Sequence, residues 1–236
     1  MVWWTWRDRP AELTEILDRR DVADELRYQV LAQLPRVNRW LGGWWALRRE
    51  LERVAGAGAL GERLLDVGCG VGDLGARARR WAERRGGLWV VGVDLSRRSL
   101  RQAASWSVVP VCASGFALPF ADRSFDVVTA SMLLHHFSGA ALERLFAELC
   151  RVAARAVIIN DLLRHRLAWV GWQLWSFFFA KDNIIRYDGA VSVRKGFVAE
   201  ELYALGATVG GFRWEVRRHP GFRICLTGLR TTEAGV

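Results

Sequence analysis

The chain has 236 residues, 51% of them apolar, so it can bury a substantial core, and without a long linker it is predicted to form one domain over 1–236. Its net charge of +9 would permit attraction to nucleic acid, anionic lipid or an acidic substrate. All but two of the basic residues are arginines, and they are spread along the chain rather than gathered in one block. Solvated helix faces are therefore favoured, and no nucleic-acid partner is expected.

The four cysteines are too far apart in the sequence for a zinc site, and they lie in apolar surroundings. We therefore predict reduced thiols at Cys69, Cys112, Cys150 and Cys225, and no metal site. The apolar run at the N-terminus is short and soon interrupted by charge, which is unlike a signal peptide. A cytoplasmic monomer or homodimer is the expectation.

Residues 11–56 carry apolar side chains at helical spacing, which predicts two or three helices in an N-terminal helical cap over 1–58. A pair of glycines breaks this pattern within 36–43. A plain helix–helix turn and a lid over a ligand site explain the break equally well. Asn38, within this break, is a candidate substrate contact.

From Arg63 onward, short valine-rich runs alternate with helical patterns. The predicted strands are 63–68, 88–93, 107–112, 125–130 and 155–160, followed by an antiparallel pair at 207–217 and 222–229. The predicted helices are 72–85, 97–105, 139–152 and 197–205. This alternation is typical of an α/β fold, here a Rossmann-like, mostly parallel sheet of seven strands with helices on both faces. Ligands of such sheets lie at the carboxyl ends of the strands, within a core predicted over 59–160.

The first predicted strand runs into a turn with three alternating glycines, Gly68, Gly70 and Gly72. Because glycine has no Cβ atom, a ligand can lie against the main chain of this turn at the helix N-terminus. Gly70, Gly72 and Gly75, with Asp94 about 20 residues further on, also fit the dinucleotide fingerprint G-x-G-x-x-G. Asp66 argues against a dinucleotide, because a buried carboxylate needs a partner such as the ammonium group of an amino acid.

Two stretches carry a family resemblance. The pattern Asp-x-Gly-x-Gly-x-Gly at 66–72, together with Asp94, resembles motifs I and II of the class I S-adenosylmethionine (SAM)-dependent methyltransferases. The segment 118–137 contains Leu-Pro-Phe, Ser-Phe-Asp-Val-Val and His-His-Phe in that order. It is similar to the branch that contains the ubiquinone and menaquinone biosynthesis methyltransferases.

The resemblance implies SAM as cofactor and S-adenosylhomocysteine as product, with the glycine turn against the methionine moiety and Asp94 on both ribose hydroxyls. The cofactor contacts that it implies are Asp66, Gly68, Cys69, Gly70, Gly72, Asp94, Leu95, Ser114, Gly115, Phe116 and Ser131. Relatives usually carry an aspartate where this chain has Ser114, so we expect slightly weaker SAM binding.

A long insertion at 161–195 contains the apolar stretch 167–180, which is too short to span a bilayer. Its aromatic residues are too numerous for a solvent-exposed segment, so we expect them to wall an apolar acceptor pocket. A buried core helix is one alternative. The other is an interfacial helix in peripheral contact with a membrane, which is disfavoured because basic residues flank the stretch rather than forming a basic face. The predicted acceptor contacts are Trp172, Trp175, Phe178, Arg164 and Arg186.

The segment 186–194 is predicted to be a polar turn, and the last part of the chain, 196–236, to hold a final helix and the antiparallel strand pair. His135 and His136 follow the fourth predicted strand and are candidate bases, because a neutral imidazole can accept a proton near neutral pH. The resemblance also implies a packing role for this pair beneath the cofactor. Asp161, at the end of the fifth strand, is the second candidate base.

These features predict a small-molecule methyltransferase of secondary metabolism, acting on the oxygen of an apolar aromatic, polyketide-like or quinone-like acceptor. One alternative is C-methylation of a quinone or lipid-like precursor; the other is a SAM-binding or partner-binding module without catalysis. The segment 129–134 lacks the Asp/Asn-Pro-Pro-aromatic motif of nucleic-acid base methyltransferases. Ser131 stands where a metal-dependent catechol-type enzyme needs a carboxylate.

Overall fold

The structure is a computed structural model. It describes residues 6, 9–10, 12–19, 22–33, 35, 41–58, 60–180 and 182–231. Asn38, predicted to contact the substrate, lies outside these residues, as does most of the break predicted at 36–43.

One seven-stranded sheet forms the centre of the molecule. Its strands are β1 (Arg63–Val67), β2 (Trp89–Asp94), β3 (Val109–Cys112), β4 (Phe125–Ser131), β5 (Ala153–Leu162), β6 (Phe212–His219) and β7 (Arg223–Arg230). Their spatial order is β3-β2-β1-β4-β5-β7-β6, and β7 runs antiparallel to both of its neighbours while the other pairings are parallel. The predicted Rossmann-like sheet is confirmed.

Helices cover both faces of this sheet. The longer ones are α1 (Asp24–Leu31), α2 (Gly43–Gly56), α3 (Asp73–Ala82), α4 (Arg97–Ser105), α5 (Gly139–Val152), α6 (Arg166–Phe179), α7 (Asn183–Lys195) and α8 (Ala199–Ala207). Short 3-10 helices lie at Ile16–Asp18, Glu83–Arg85 and Leu134–His136. Among the described residues, no helix combines the length and the apolar content needed to cross a bilayer.

The central strands are buried on both faces, as their valine-rich sequences require. Every residue of β4 is buried, and two separate apolar clusters cover the two sides of the sheet. On one side Phe146 and Leu149 of α5 pack against the strands, and on the other Leu47 and Leu51 of α2 do so. Because both faces of the sheet are covered, a ligand site is expected at the carboxyl ends of the parallel strands.

The structure corrects the polar turn predicted at 186–194, because this segment lies within α7. The side chain of Asp182 accepts a hydrogen bond from the backbone N–H of Ile184 and so begins the helix. The Asp188-Gly189 pair resembles a turn signal, but Asp188 accepts hydrogen bonds from the backbone of Ile16 and Leu17, and Gly189 serves packing. Gly189 lies against the indole of Trp172 so closely that a Cβ atom would lie 2.0 Å from its ring.

Candidate active site

A cavity of about 860 Å³ lies at the carboxyl ends of the strands, between the sheet, the first described residues and the helix pair α6–α7. Glycines of the turn after β1 and Asp94 at the end of β2 line one end of it. Aromatic side chains of α6 line the other end. The cavity therefore joins the predicted cofactor turn to the insertion that the sequence predicted as the acceptor pocket.

The glycine turn exposes main chain to this cavity. Gly68, Gly70 and Gly72 all have a positive φ, which glycine adopts without strain. A Cβ atom at Gly70 would meet nothing within 4 Å, so its backbone faces open space. At Gly72, by contrast, a Cβ atom would lie 2.6 Å from that of Ala103, so this glycine lets α3 and α4 approach each other.

Two carboxylates hold the turn in place. Asp94 accepts hydrogen bonds from the backbone N–H groups of Gly70, at 2.9 Å, and Ser96, at 2.8 Å. Asp66 lies beneath the turn and accepts a hydrogen bond from the Thr129 hydroxyl at 3.0 Å. Burial raises the pKa of Asp66 to about 7. A cationic ligand group in the cavity would favour its ionised form.

The end of the cavity nearest α6 is apolar. Trp172 and Trp175 of α6 stack with ring centroids 5.4 Å apart, and both line the cavity. The indole N–H of Trp172 donates to the backbone carbonyl of Arg186, so the ring is fixed at its polar edge and presents its apolar surface. Leu162 and Ile185 complete this wall.

A polar cluster lies between the two ends. His135 is fully buried, and its Nδ1 lies 2.7 Å from the Asp161 carboxylate. Its Nε2 lies 3.5 Å from the carboxylate of Glu15, an ion-pair distance that falls short of hydrogen-bond geometry. Burial lowers the pKa of His135, but the two carboxylates outweigh burial and raise the pKa to about 9. His135 is therefore an imidazolium at neutral pH.

A second histidine–carboxylate pair faces the cavity. His136 Nδ1 lies 2.9 Å from the Asp18 carboxylate, and the His136 side chain is partly exposed to the cavity. The ammonium group of Lys195 lies 3.4 Å from Asp18 and 3.8 Å from Glu15. Burial would raise the pKa of Asp18, but His136 and Lys195 hold it below its ordinary value.

The N-terminal segment is fixed against the cavity by two anchors. The Asp188 carboxylate accepts hydrogen bonds from the backbone N–H groups of Ile16, at 2.7 Å, and Leu17, at 3.1 Å. The guanidinium of Arg9 donates to the backbone carbonyls of Lys195 and His135. These contacts place the carboxylates of Glu15 and Asp18 beside His135 and His136.

Comparison with known proteins supports the resemblance in the sequence. A family model described as a methyltransferase domain matches residues 64–155. An uncharacterized methyltransferase from Synechocystis is 30% identical over 159 residues, which make up 62% of this chain and 73% of that protein. The chain belongs to the SAM-dependent methyltransferase family.

Two further comparisons show the extent of the similarity. A demethylmenaquinone methyltransferase from Roseiflexus castenholzii is 33% identical over 122 residues, which are 49% of this chain and 49% of that protein, so the match spans about half of it. The magnesium protoporphyrin IX methyltransferase of Synechocystis has the same fold, with a TM-score of 0.56 at 16% identity over 80% of this chain and 84% of that one.

SAM is the cofactor of the family, and the turn of this methyltransferase fits it: Gly70 presents bare main chain for the methionine end, and the adjacent Asp94 carboxylate suits the ribose hydroxyls. The predicted cofactor residues that line the cavity are Asp66, Gly68, Cys69, Gly70, Asp94 and Ser131. Those outside its lining are Gly72, Leu95, Ser114, Gly115 and Phe116. The Ser114 hydroxyl accepts a hydrogen bond from the backbone N–H of Phe116, so it stabilises its own turn.

The predicted acceptor contacts divide into two groups. Trp172 and Trp175 line the cavity as expected. The prediction for Phe178 is wrong, because its side chain is 73% exposed on the outer face of α6. The predictions for the two arginines are also wrong: Arg164 is buried in a bidentate pair with Glu201, and Arg186 donates to backbone carbonyls at the end of α6.

The predicted bases differ in their surroundings. Asp161 is fully buried behind His135 and does not line the cavity, so its position suits orienting that ring rather than meeting an acceptor. Burial would raise the pKa of Asp161, but the charge and hydrogen bond of His135 hold it below its ordinary value. The raised pKa of His135 favours its protonated form, whereas a base at this position would have to be a neutral imidazole. His136 keeps a place on the cavity wall.

Glu15, His135 and His136 form the only group of metal-binding residue types found close together in the described parts of the chain, with possible ligand atoms within 4.8 Å of one another. A metal ion would need His135 to give up the proton that Asp161 and Glu15 retain. Lys195 and protonated His135 already place two positive charges beside Glu15. We assign no metal ion to this cluster.

Sequence reasoning missed several residues of the cavity. These are Arg9, Glu15, Asp18, Asp188, Lys195 and Arg223. The acids of the N-terminal segment lie in a helical pattern and would be interpreted as a solvated face. The one signal was the Asp-Gly pair at 188–189, a polar pair inside an apolar insertion.

Proposed function

We propose that the chain transfers the methyl group of SAM to the oxygen of a small apolar acceptor bound against Trp172 and Trp175. The observation that carries this proposal is the continuous cavity of about 860 Å³, which reaches from the glycine turn to the two stacked indoles. Single small-molecule pockets measure about 300 to 1,000 Å³. A cavity near the top of that range, with one polar and one apolar end, suits a cofactor and an acceptor together.

When bound, SAM would supply an electrophilic methyl group; an acceptor oxygen would bond to this carbon in line as the carbon–sulfur bond breaks, and S-adenosylhomocysteine would leave. The protein must hold the acceptor, exclude water and remove the hydroxyl proton. We assign the removal of the hydroxyl proton to His136. When its Nδ1–H donates to Asp18, the ring is held in the tautomer whose Nε2 accepts a proton. Asp18 then stabilises the imidazolium that forms.

The neighbouring pair has a different role in this proposal. His135 is held between the carboxylates of Asp161 and Glu15, so two negative charges offset the positive charge of its ring. Its ring centroid lies 4.3 Å from that of His136. His135 therefore positions the ring of His136 and takes no proton from the acceptor.

The test uses His136→Gln and a panel of hydroxylated aromatic acceptors with radiolabelled SAM. If His136 is the base, the variant loses about 10²- to 10⁴-fold in kcat while S-adenosylhomocysteine affinity is retained. The matched control is His165→Asn, because His165 is an exposed histidine that caps α6 and asparagine also caps helices. The control should keep wild-type turnover.

Two results would contradict the proposal. Wild-type turnover in His136→Gln would show that His136 is not the base. Tight S-adenosylhomocysteine binding by the wild-type chain, without transfer to any acceptor, would support a SAM-binding module instead. Mass and NMR spectra of the product separate O- from C-methylation, because an O-methylated product has lost the hydroxyl proton of the acceptor.

A further inference from the structure

One side of α6 carries large apolar side chains that are about half or more exposed. The residues and their exposed fractions are Leu167 63%, Val170 47%, Leu174 61%, Phe177 68% and Phe178 73%. At 3.6 residues per turn these five lie on one side of the helix. Single exposed apolar residues are ordinary on protein surfaces, but a contiguous patch marks an interaction site. We call these five residues the outer face.

The opposite side of the same helix lines the cavity. Ala168, Gly171, Trp172 and Trp175 face inward, and Gly171 is also exposed. A Cβ atom at Gly171 would meet nothing within 4 Å, so the main chain of α6 is bare there. The helix therefore separates the outer face from the acceptor chamber by its own thickness, about 10 Å.

A positive charge lies at each end of the outer face. Arg166 is exposed in the first turn of α6, and the guanidinium of Arg186 lies at the last turn, where it donates to the backbone carbonyls of Phe177 and Ala180. The sequence of α6 contains no acidic residue, and Asp182, just beyond it, caps α7. The sequence alone disfavoured a membrane because these cations form no basic face, but it did not reveal the exposed apolar strip between them. An exposed apolar strip with a cation at each end is complementary to a bilayer surface that contains anionic lipid.

We propose that α6 docks on the surface of an anionic membrane, with the outer face in the region between headgroups and acyl chains. Helices of this kind lie in the plane of the interface with about 5 to 10 Å of their apolar side immersed. Docking would bring the acceptor chamber next to the lipid phase, so an apolar acceptor dissolved in the membrane could enter without crossing water. The docking itself does not depend on methyl transfer.

The test is sedimentation of the full chain with phosphatidylcholine vesicles, with and without phosphatidylglycerol. Wild-type protein should sediment with the anionic vesicles, and Leu174→Ser combined with Phe177→Ser should lower the partition coefficient by on the order of 10- to 100-fold. Arg166→Gln should lower it about fivefold on anionic vesicles and hardly at all on neutral ones.

The matched control is Tyr203→Ser, which removes an exposed aromatic side chain from α8 and should leave vesicle binding unchanged. Thermal unfolding and S-adenosylhomocysteine titration check that each variant is folded. The proposal is overturned if wild-type protein does not bind either vesicle. It is also overturned if sedimentation equilibrium shows a dimer that the Leu174 and Phe177 substitutions dissociate, because the outer face would then be covered by a second copy of the chain.

Discussion

The Nδ1 atom of His135 lies 2.7 Å from the Oδ1 atom of Asp161, and both side chains are excluded from solvent. Asp161 also accepts a hydrogen bond from the backbone N–H of Leu162 at 2.8 Å, so its carboxylate cannot turn away. The charge of this buried carboxylate keeps the imidazole protonated although burial alone would neutralise it. The pair thus fixes both the orientation and the charge of the cavity wall.

Replacing Asp161 with asparagine should lower the pKa of His135 from about 9 toward the value of about 6.5 that is ordinary for histidine, because burial then acts against one carboxylate instead of two. A proton–nitrogen NMR titration of the ring measures this directly. An unaltered His135 titration would show that Glu15 alone sets its charge.

The same shift predicts a pH effect on stability. A histidine whose pKa is raised on folding stabilises the folded state fully below its unfolded value of about 6.5, and this contribution is lost as pH rises through about 9. Wild-type protein should therefore lose more stability between those pH values than Asp161→Asn does. Urea unfolding at several pH values measures the difference.

Asp94→Asn should weaken S-adenosylhomocysteine binding about 10- to 100-fold. The substitution removes a charged acceptor, and hydrogen bonds to charged groups contribute about 1.5 to 3 kcal/mol. It also weakens the contact that holds the N–H of Gly70. Calorimetric titration measures the affinity, with Asp122→Asn on the exposed surface as the control. Unchanged affinity would show that Asp94 does not bind the ribose of the cofactor.

Asp66 should make cofactor binding depend on pH. Burial raises its pKa to about 7, so in the free protein it gains its charge only near neutral pH. If the cofactor ammonium pairs with this carboxylate, affinity for S-adenosylhomocysteine should rise as pH increases from about 6 to about 8. Asp66→Asn should abolish this rise. A slope that persists in the variant would assign the titration to another group.

Without ligand, Asp66 makes the free energy of unfolding change with pH in the opposite direction to an ordinary paired carboxylate. A carboxyl group whose pKa is raised on folding favours the folded state at low pH, and that advantage is lost as pH rises through about 7. Asp66→Asn should therefore reduce the loss of stability between about pH 4 and pH 7. Thermal unfolding with and without S-adenosylhomocysteine separates this effect from ligand binding.

Trp172→Ala should raise KM for apolar aromatic acceptors while S-adenosylhomocysteine affinity stays the same, because Trp172 lines only the acceptor end of the cavity. Phe178→Ala is the matched control on the same helix. Its ring lies on the outer face, so KM for a water-soluble acceptor should not change. Equal effects of the two substitutions would contradict the orientation of α6.

Gly189 and Gly171 provide a pair of substitutions with opposite expected signs. A Cβ atom at Gly189 would lie 2.0 Å from the Trp172 ring, so Gly189→Ala should destabilise the fold by about 1 to 3 kcal/mol through overpacking. A Cβ atom at Gly171 would meet nothing within 4 Å, so Gly171→Ala in a helix should stabilise by up to about 1 kcal/mol. Urea unfolding of both variants tests the packing between α6 and α7.

Local sequence determined the sheet and the cofactor turn. The valine-rich runs can only be buried strands, and glycines at 68 and 70 supply a main chain that approaches a ligand, so both follow from a few neighbouring residues. The apolar insertion was also evident, and two of its tryptophans were predicted in the acceptor wall. Helical periodicity alone does not say which side of α6 faces the core, and so Phe178 was misplaced.

The tertiary structure alone decided the polar cluster. Glu15 precedes His135 by more than a hundred residues, and α5 and most of β5 lie between His135 and Asp161, so only the folded chain brings the three within ion-pair distance. Their protonation depends on burial and on each other, because burial favours the neutral imidazole while the two neighbouring carboxylates keep it charged. The tertiary structure also decided the outer face of α6, because the exposure of a side chain depends on packing and not on composition.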